Sequence, residues 1–331
     1  MVRQLEAVMS EKTEIHPAPP FDVELGAVLA VLAEAMPPTL TPEMIEPMRT
    51  GVPLPVIADL LGGRPIDHEE RRIPVADGEI TVSVFTKQGH VAGGPGIFHT
   101  HGGGMIIGDR FTGADEYLQW VEEFDAVVVS VEYRLAPEFP DPTPVDDCYA
   151  GLLWTVEHAD ELGFDPARLV IGGASAGGGL AAGVSLKARD EGGPALAGSL
   201  LIYPMLDDRN ETVSSHQIDG FGVWDRGSND TGWDALLGDR RFTDEVSIYA
   251  APARAQDLSG LPPTFIDCAT AEVFRDEDVA YASKIWAVGG IAELHVWPGG
   301  FHGFDAMAPQ AQLSVEARAA RVRWLHRILG A

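Results

Sequence analysis

The stretch "LVIGGASAGGGLAAG", residues 169–183, places a lone serine, Ser175, among six glycines. Leu169-Val170-Ile171 reads as a strand, and the small residues after Ser175 read as a helix. Three readings compete for the junction: a flexible loop, a phosphate-cradling turn, and a nucleophile held on a tight bend. The phosphate loop lacks the Lys-Ser/Thr that must follow the glycines. A dinucleotide turn lacks the G-x-G-x-x-G spacing, and no acidic strand end follows about 20 residues on. What remains is G-x-S-x-G between strand and helix, the sequence context of a nucleophile elbow. Its glycines admit a strained backbone, and the helix N-terminus behind it favours developing negative charge.

Working outward, strand patterns alternate with helical ones. The apolar strands are "GIFHTH", "AVVVSVEY", "RLVIGG", "SLLIYP", "TFIDCA" and "AELHVWPG". Between most of them lie amphipathic segments such as "GADEYLQWVEEF" and "GGLAAGVSLKARD". This rhythm predicts an α/β fold whose mostly parallel sheet is covered on both faces. "RRIPVADGEITVSVFT" predicts a hairpin with its turn at Asp77-Gly78. Residues 1–70 are rich in proline and helical signals. Leu25, Val28, Leu29, Leu32 and Met36 form one stripe ended by Pro37-Pro38, and Thr41 with Pro42 opens a second helix. Residues 205–255 are polar and loop-rich, and carry Phe221, Trp224 and Trp233; such an excursion between strands reads as a lid or binding loop.

Bulk properties narrow the function. The 331 residues suffice for one large α/β domain or two modest ones. The net charge of −27, with lysine at only Lys12, Lys87, Lys187 and Lys284, argues against nucleic acid as a partner. No apolar run reaches the ~20 residues of a membrane span. The acidic opening, "MVRQLEAVMSEKTEIH", lacks the apolar core of a signal peptide, so a cytoplasmic protein is expected. Cys148 and Cys268 lie far apart in apolar segments and read as buried small hydrophobes; a metal site needs more ligands.

A serine nucleophile needs a base, and the base needs a carboxylate to orient it. Behind an elbow the chain order is Ser, acid, His. Of the downstream histidines, His216 falls in the polar excursion, His295 in a strand pattern and His326 in a terminal helix. His302, in "WPGGFHGF", sits on a Gly-rich loop after the last strand and is the expected base. Among Asp267, Glu272, Asp276, Glu277 and Asp278, Glu272 is on the loop after its strand and is the expected acid, with Asp276 as runner-up. "HTHGGGMIIGD", residues 99–109, leaves backbone N–H groups unshielded after a strand, as an oxyanion site requires.

"HGGG" at 101–104, "GASAGG" at 173–178, "YRLAPEFPDP" at 133–142, "EVFRDE" at 272–277 and "FHGF" at 301–304 together resemble the bacterial hormone-sensitive-lipase-like esterases. These are carboxylesterases of the α/β-hydrolase fold, and the resemblance runs from about residue 70 to the end. It implies Ser175 as nucleophile, His302 as general base, and an oxyanion hole from the N–H groups of Gly102, Gly103, Gly104 and Ala176. It implies a mostly helical cap from residues 1–70 and 205–255, over a catalytic domain of residues 71–204 and 256–331. Glu272 departs from the Asp usual at the acid position. The expected activity is hydrolysis of a small ester with a short to medium acyl chain, without metal or organic cofactor. Met105, Ile106, Tyr203, Phe221, Trp224 and Phe301 are the candidate pocket residues. The same triad could serve an amidase, arylformamidase or deacetylase, and the same fold a non-catalytic receptor. An exposed edge strand near the C-terminus is the surface on which two copies could pair as a homodimer.

Overall fold

The computed structural model describes residues 16–51 and 54–330. Residues 1–15, the acidic opening from which a cytoplasmic location is expected and the first part of the expected cap segment 1–70, lie outside them.

Among the described residues one eight-stranded sheet runs in the order β1-β2-β4-β3-β5-β6-β7-β8. The strands are β1 (Ile66–Val75), β2 (Gly78–Lys87), β3 (Gly94–Thr100), β4 (Val127–Glu132), β5 (Phe164–Ala174), β6 (Gly198–Ile202), β7 (Thr264–Ala269) and β8 (Ala292–Trp297). β1 and β2 are antiparallel, β2 meets β4 antiparallel, and every later pairing is parallel. Val75 pairs with Gly78, so the hairpin turn is Ala76-Asp77, one position earlier than expected. Asp77 takes the positive φ of 62°, which a short polar side chain tolerates, and this frees Gly78 to pair.

The longer helices are α1 (Val23–Ala35), α2 (Ala114–Phe124), α3 (Thr143–Glu157), α4 (Ala176–Glu191), α5 (Arg226–Leu237), α6 (Arg275–Ala287) and α7 (Gln312–Leu329). Strand alternation sorts the core into two layers. Val127, Val129, Val131, Leu169 and Ile171 face the helices α3, α4 and α6. Val128, Val170, Leu200 and Ile202 face α2 and α7. Because both faces are buried, the strands read as continuous apolar runs. The loops at the C-terminal ends of β3, β5, β7 and β8 gather on one edge, where open α/β sheets place their sites.

Residues 205–255 are more ordered than a polar, loop-rich excursion. They contain α5 and the short helix Val213–Gln217. The sequence "RGSNDTGWDALL" has poor intrinsic helix propensity. The helix is started by Asp225, whose carboxylate accepts from the Ser228 N–H at 2.7 Å, and is anchored by the fully buried Trp233. Cys148 and Cys268 are both buried and unpaired, as expected.

Candidate active site

Ser175 sits between the last residue of β5 and the first of α4, at φ 59° and ψ −125°. A non-glycine residue in this region stores about 1–3 kcal/mol, so neighbours must hold it there. They do so through the backbone. The Ser175 N–H donates to Ile202 O at 2.8 Å, and its carbonyl accepts from Gly179 and Met205 N–H groups, both at 3.0 Å. A Cβ on Gly177 would lie 2.1 Å from Thr100 O and 2.7 Å from His101 O. Only glycine lets the elbow press so closely on the end of β3.

His302 lies on the loop after β8, and Glu272 on the loop after β7. His302 Nε2 is 2.9 Å from Ser175 Oγ, and its Nδ1 is 2.9 Å from Glu272 Oε2. A carboxylate only accepts, so Nδ1 carries the proton and Nε2 is left to accept from the serine hydroxyl. Glu272 is fully buried. Its second oxygen accepts from the Ala269 N–H at 2.8 Å, which folds the side chain back onto the end of β7 and accommodates its length. Tyr203 and Phe274 pack edge-on against the imidazole, with ring centroids 4.9 and 5.1 Å away. Asp276, the runner-up acid, is occupied elsewhere: it accepts from the Ser214 N–H and from Arg275.

The HGGG loop stands beside the elbow. His101 donates from Nδ1 to Gly102 O at 2.8 Å and stacks on Tyr133, whose hydroxyl donates to His101 O. Among the described residues Gly102, Gly103 and Gly104 donate no backbone hydrogen bond, and Gly102 and Gly103 line the cavity over Ser175. Gly104, at φ 62°, lies under Trp224; a Cβ there would approach the indole to 2.4 Å. Burial and the neighbouring His101 push the His99 imidazole down to about 3, so it brings no positive charge to the site at neutral pH.

A cavity of about 810 Å³ opens over Ser175 and His302. Tyr203 and Trp224 line it. Met105, Ile106, Phe221 and Phe301 are not among its lining residues. Met105, at φ 62°, and Ile106 are buried in the large core instead. Phe301 packs with Leu25, Leu29 and Phe304, and Phe221 faces a neighbouring cleft. The wall is supplied instead by Met36, Leu40, Met44, Met48, Phe111 and Trp120. Of these, only Met36 carried a signal in the sequence, as the last member of the α1 stripe.

Two further clusters surround the site. Arg321, fully buried on α7, donates to Asp267, Asp305 and Glu116, and Asp305 also accepts from the Tyr203 hydroxyl. Even so, burial pushes the Asp267 carboxyl up to about 6. Behind Glu272, Asp278 is fully buried with neither oxygen hydrogen-bonded. Burial, and then the Glu272 and Glu277 carboxyls, hold it well above the carboxylate range. The ligand atoms of Cys268, Glu272 and Asp278 lie within 4.8 Å of one another. Three donors fall short of the four of a closed zinc site, and both Glu272 oxygens already accept hydrogen bonds.

The family model described as "alpha/beta hydrolase fold" matches residues 97–306. The chain belongs to that family. It is similar to carboxylesterase NlhH of Mycobacterium tuberculosis, at 36% identity over 72% of this chain and 75% of the relative. It is also similar to esterase LipI of the same species, at 33% identity over 67% of this chain and 69% of the relative. Among solved structures, a bacterial heroin esterase matches with a TM-score of 0.83 and 36% identity, covering 93% of this chain and 98% of its own. These likenesses agree with the esterase resemblance read from the motifs. No helix among the described residues is long and apolar enough to cross a membrane.

Proposed function

We propose that this protein is a serine carboxylesterase acting through an acyl-enzyme. Ser175 Oγ attacks the ester carbonyl while His302 Nε2 takes its proton. The carbonyl electrons move onto oxygen, which accepts from the N–H groups of the Gly102-Gly103-Gly104 run and of Ala176. Each such donor is worth about 3 kcal/mol to the transition state. Collapse breaks the bond to the alcohol, which leaves with the proton from Nε2. Water then repeats the sequence and releases the acid. Glu272 holds the imidazole tautomer and stabilises the imidazolium. Every proton in this scheme is moved by Ser175, His302 or water, so the reaction needs no metal or organic cofactor.

The observation that carries the reading is the 2.9 Å and 2.9 Å relay from Ser175 through His302 to Glu272, on a strained elbow beside the Gly102-Gly103-Gly104 run. We also assign residues 71–204 and 256–331 to the catalytic domain, and the segments 1–70 and 205–255 to its cap. In support, Leu40 accepts from Thr231 and donates to Ser228 of α5, so the two segments are tied together. The exposed β8 edge, next to the exposed Val288 and Ile291, is the surface we assign to pairing of two copies.

The test is hydrolysis of p-nitrophenyl esters of increasing acyl length by the wild type and by Ser175→Ala. A wild-type burst that the variant lacks supports the nucleophile. A folded wild type that turns over no ester overturns the reading.

A further inference from the structure

Beside the active-site cavity lies a second cleft, of about 460 Å³, between α1 and residues 220–223. Its lining includes Phe21, Leu29 and Leu32 on one side and Phe221 on the other. Phe21 and Phe221 meet edge-to-face, with ring centroids 6.2 Å apart. Met36 and Val223 line both this cleft and the cavity over Ser175. Every side chain lining the cleft is apolar, so no side chain there offers a ligand a hydrogen bond. Leu32, Met36 and Val223 are only half-buried, and Phe221 is 37% exposed. Apolar surface left open in this way gains by covering.

We propose that the substrate path continues past Met36 and Val223, and that the second cleft takes the distal end of a long, unbranched hydrocarbon chain on the ester. The inference rests on the esterase reading and extends it to the substrate class. Three features point to hydrocarbon rather than to a polar group or a partner protein. The wall side chains carry no donor, acceptor or charge. Met36 and Val223 stand in the walls of both the cleft and the cavity that holds the reacting serine, so a chain that leaves the cavity past them enters the cleft. Met36, unbranched and with three rotatable bonds, can swing aside without disturbing a backbone element. Chains too short to pass Met36 would leave the cleft empty and gain nothing from it.

The experiment uses two ester series, so that either side of the scissile bond can occupy the cleft. One is p-nitrophenyl acetate, octanoate and laurate; the other is ethyl, octyl and dodecyl acetate. Ala30→Trp and Ala33→Trp place an indole in the cleft from exposed positions of α1, away from the core and the triad. The expected result is that each variant keeps wild-type kcat/KM on p-nitrophenyl acetate and loses about tenfold on the longest member of one series. Unchanged acetate activity also shows that the variants fold. If the ratio of longest to shortest ester is unchanged in both series, or the wild type accepts neither laurate nor dodecyl acetate, the inference is overturned. A wild type inactive on every ester is a different failure, that of the esterase reading itself.

Discussion

The loops that carry Ser175, Glu272 and His302 and the segments that cover them are held in place by different means. The loops are fixed by backbone contacts with one solution each: a strained serine, a glycine pressed on a strand end, a buried carboxylate with both oxygens bonded. The cover combines apolar packing with many side-chain ties, among them Thr39 to Asp225 at 2.6 Å, Arg49 to Ile106 O and to Glu138, and the buried Arg241 to Asp230 and Asp234. The first arrangement suits chemistry, where a misplacement of about 1 Å can cost 10²-fold. The second suits shape, since apolar walls can change while total volume is kept. A change in the loops should therefore lower turnover of every ester, and a change in the cover should alter which esters are preferred.

The largest effect expected is at Glu272. Glu272→Gln keeps the size of the side chain but no longer fixes the tautomer, and kcat should fall about 10⁴-fold on short and long esters alike. If the loss depends on acyl length, the division between loops and cover fails. Steady-state kinetics on two esters decides this.

Next is Arg321, which lies beneath the loops. Arg321→Met leaves Asp267 and Asp305 without their buried cation, and stability should drop by about 3–5 kcal/mol. Urea unfolding measures it. A loss below about 1 kcal/mol would mean that the cluster is solvated and does not brace the site.

Asp278 sharpens the comparison from the opposite direction, since its buried carboxyl has no partner. Burial, and then the Glu272 and Glu277 carboxyls, hold its pKa in the folded protein well above that of an ordinary aspartate. Between the two values the folded state therefore holds a proton that the unfolded state has released. Its contribution to stability is complete below the unfolded value and is lost as pH rises, by up to about 1.4 kcal/mol per pH unit. Asp278→Asn removes this term. The gain in stability over the wild type should grow as pH rises above the ordinary carboxylate range. Denaturation at several pH values reads the slope; an unchanged slope would show that Asp278 is ionised in the folded state.

The smallest effect belongs to the cover. Thr39→Val removes one bond to Asp225, which still accepts from Gly220 and Ser228, and should cost about 1 kcal/mol. Its kinetic trace should be a change in KM for the bulkier esters with kcat on acetate unchanged. A fall in kcat on acetate would show that the cover also positions the triad.

The same division explains what was legible. That Ser175, His302 and Glu272 meet could be expected because each lies in a short motif between recognisable strands and helices. Glu272 could be preferred to Asp276 because it lies on the loop and not in the first turn of α6. The strands were legible because burial on both faces leaves uninterrupted apolar runs. The pocket was not. Met105 and Phe301 have the composition of wall residues, yet they are buried in the core. Leu40 and Met44 reach the cavity only because the N-terminal segment folds back over the sheet edge. α5 was missed because its glycines, serine and asparagine speak against a helix, and only its cap and the burial of Trp233 support one.

By itself, then, the sequence determined the alternation of strands and helices, the strand-to-helix elbow, and which serine, histidine and carboxylate to look for beside it, because local periodicity and short motifs carry that information. The tertiary structure alone decided which apolar side chains face the substrate and that Asp278 lies unpaired behind the acid. These depend on contacts between residues far apart in the chain, and no local pattern encodes which side of a folded loop a side chain will occupy.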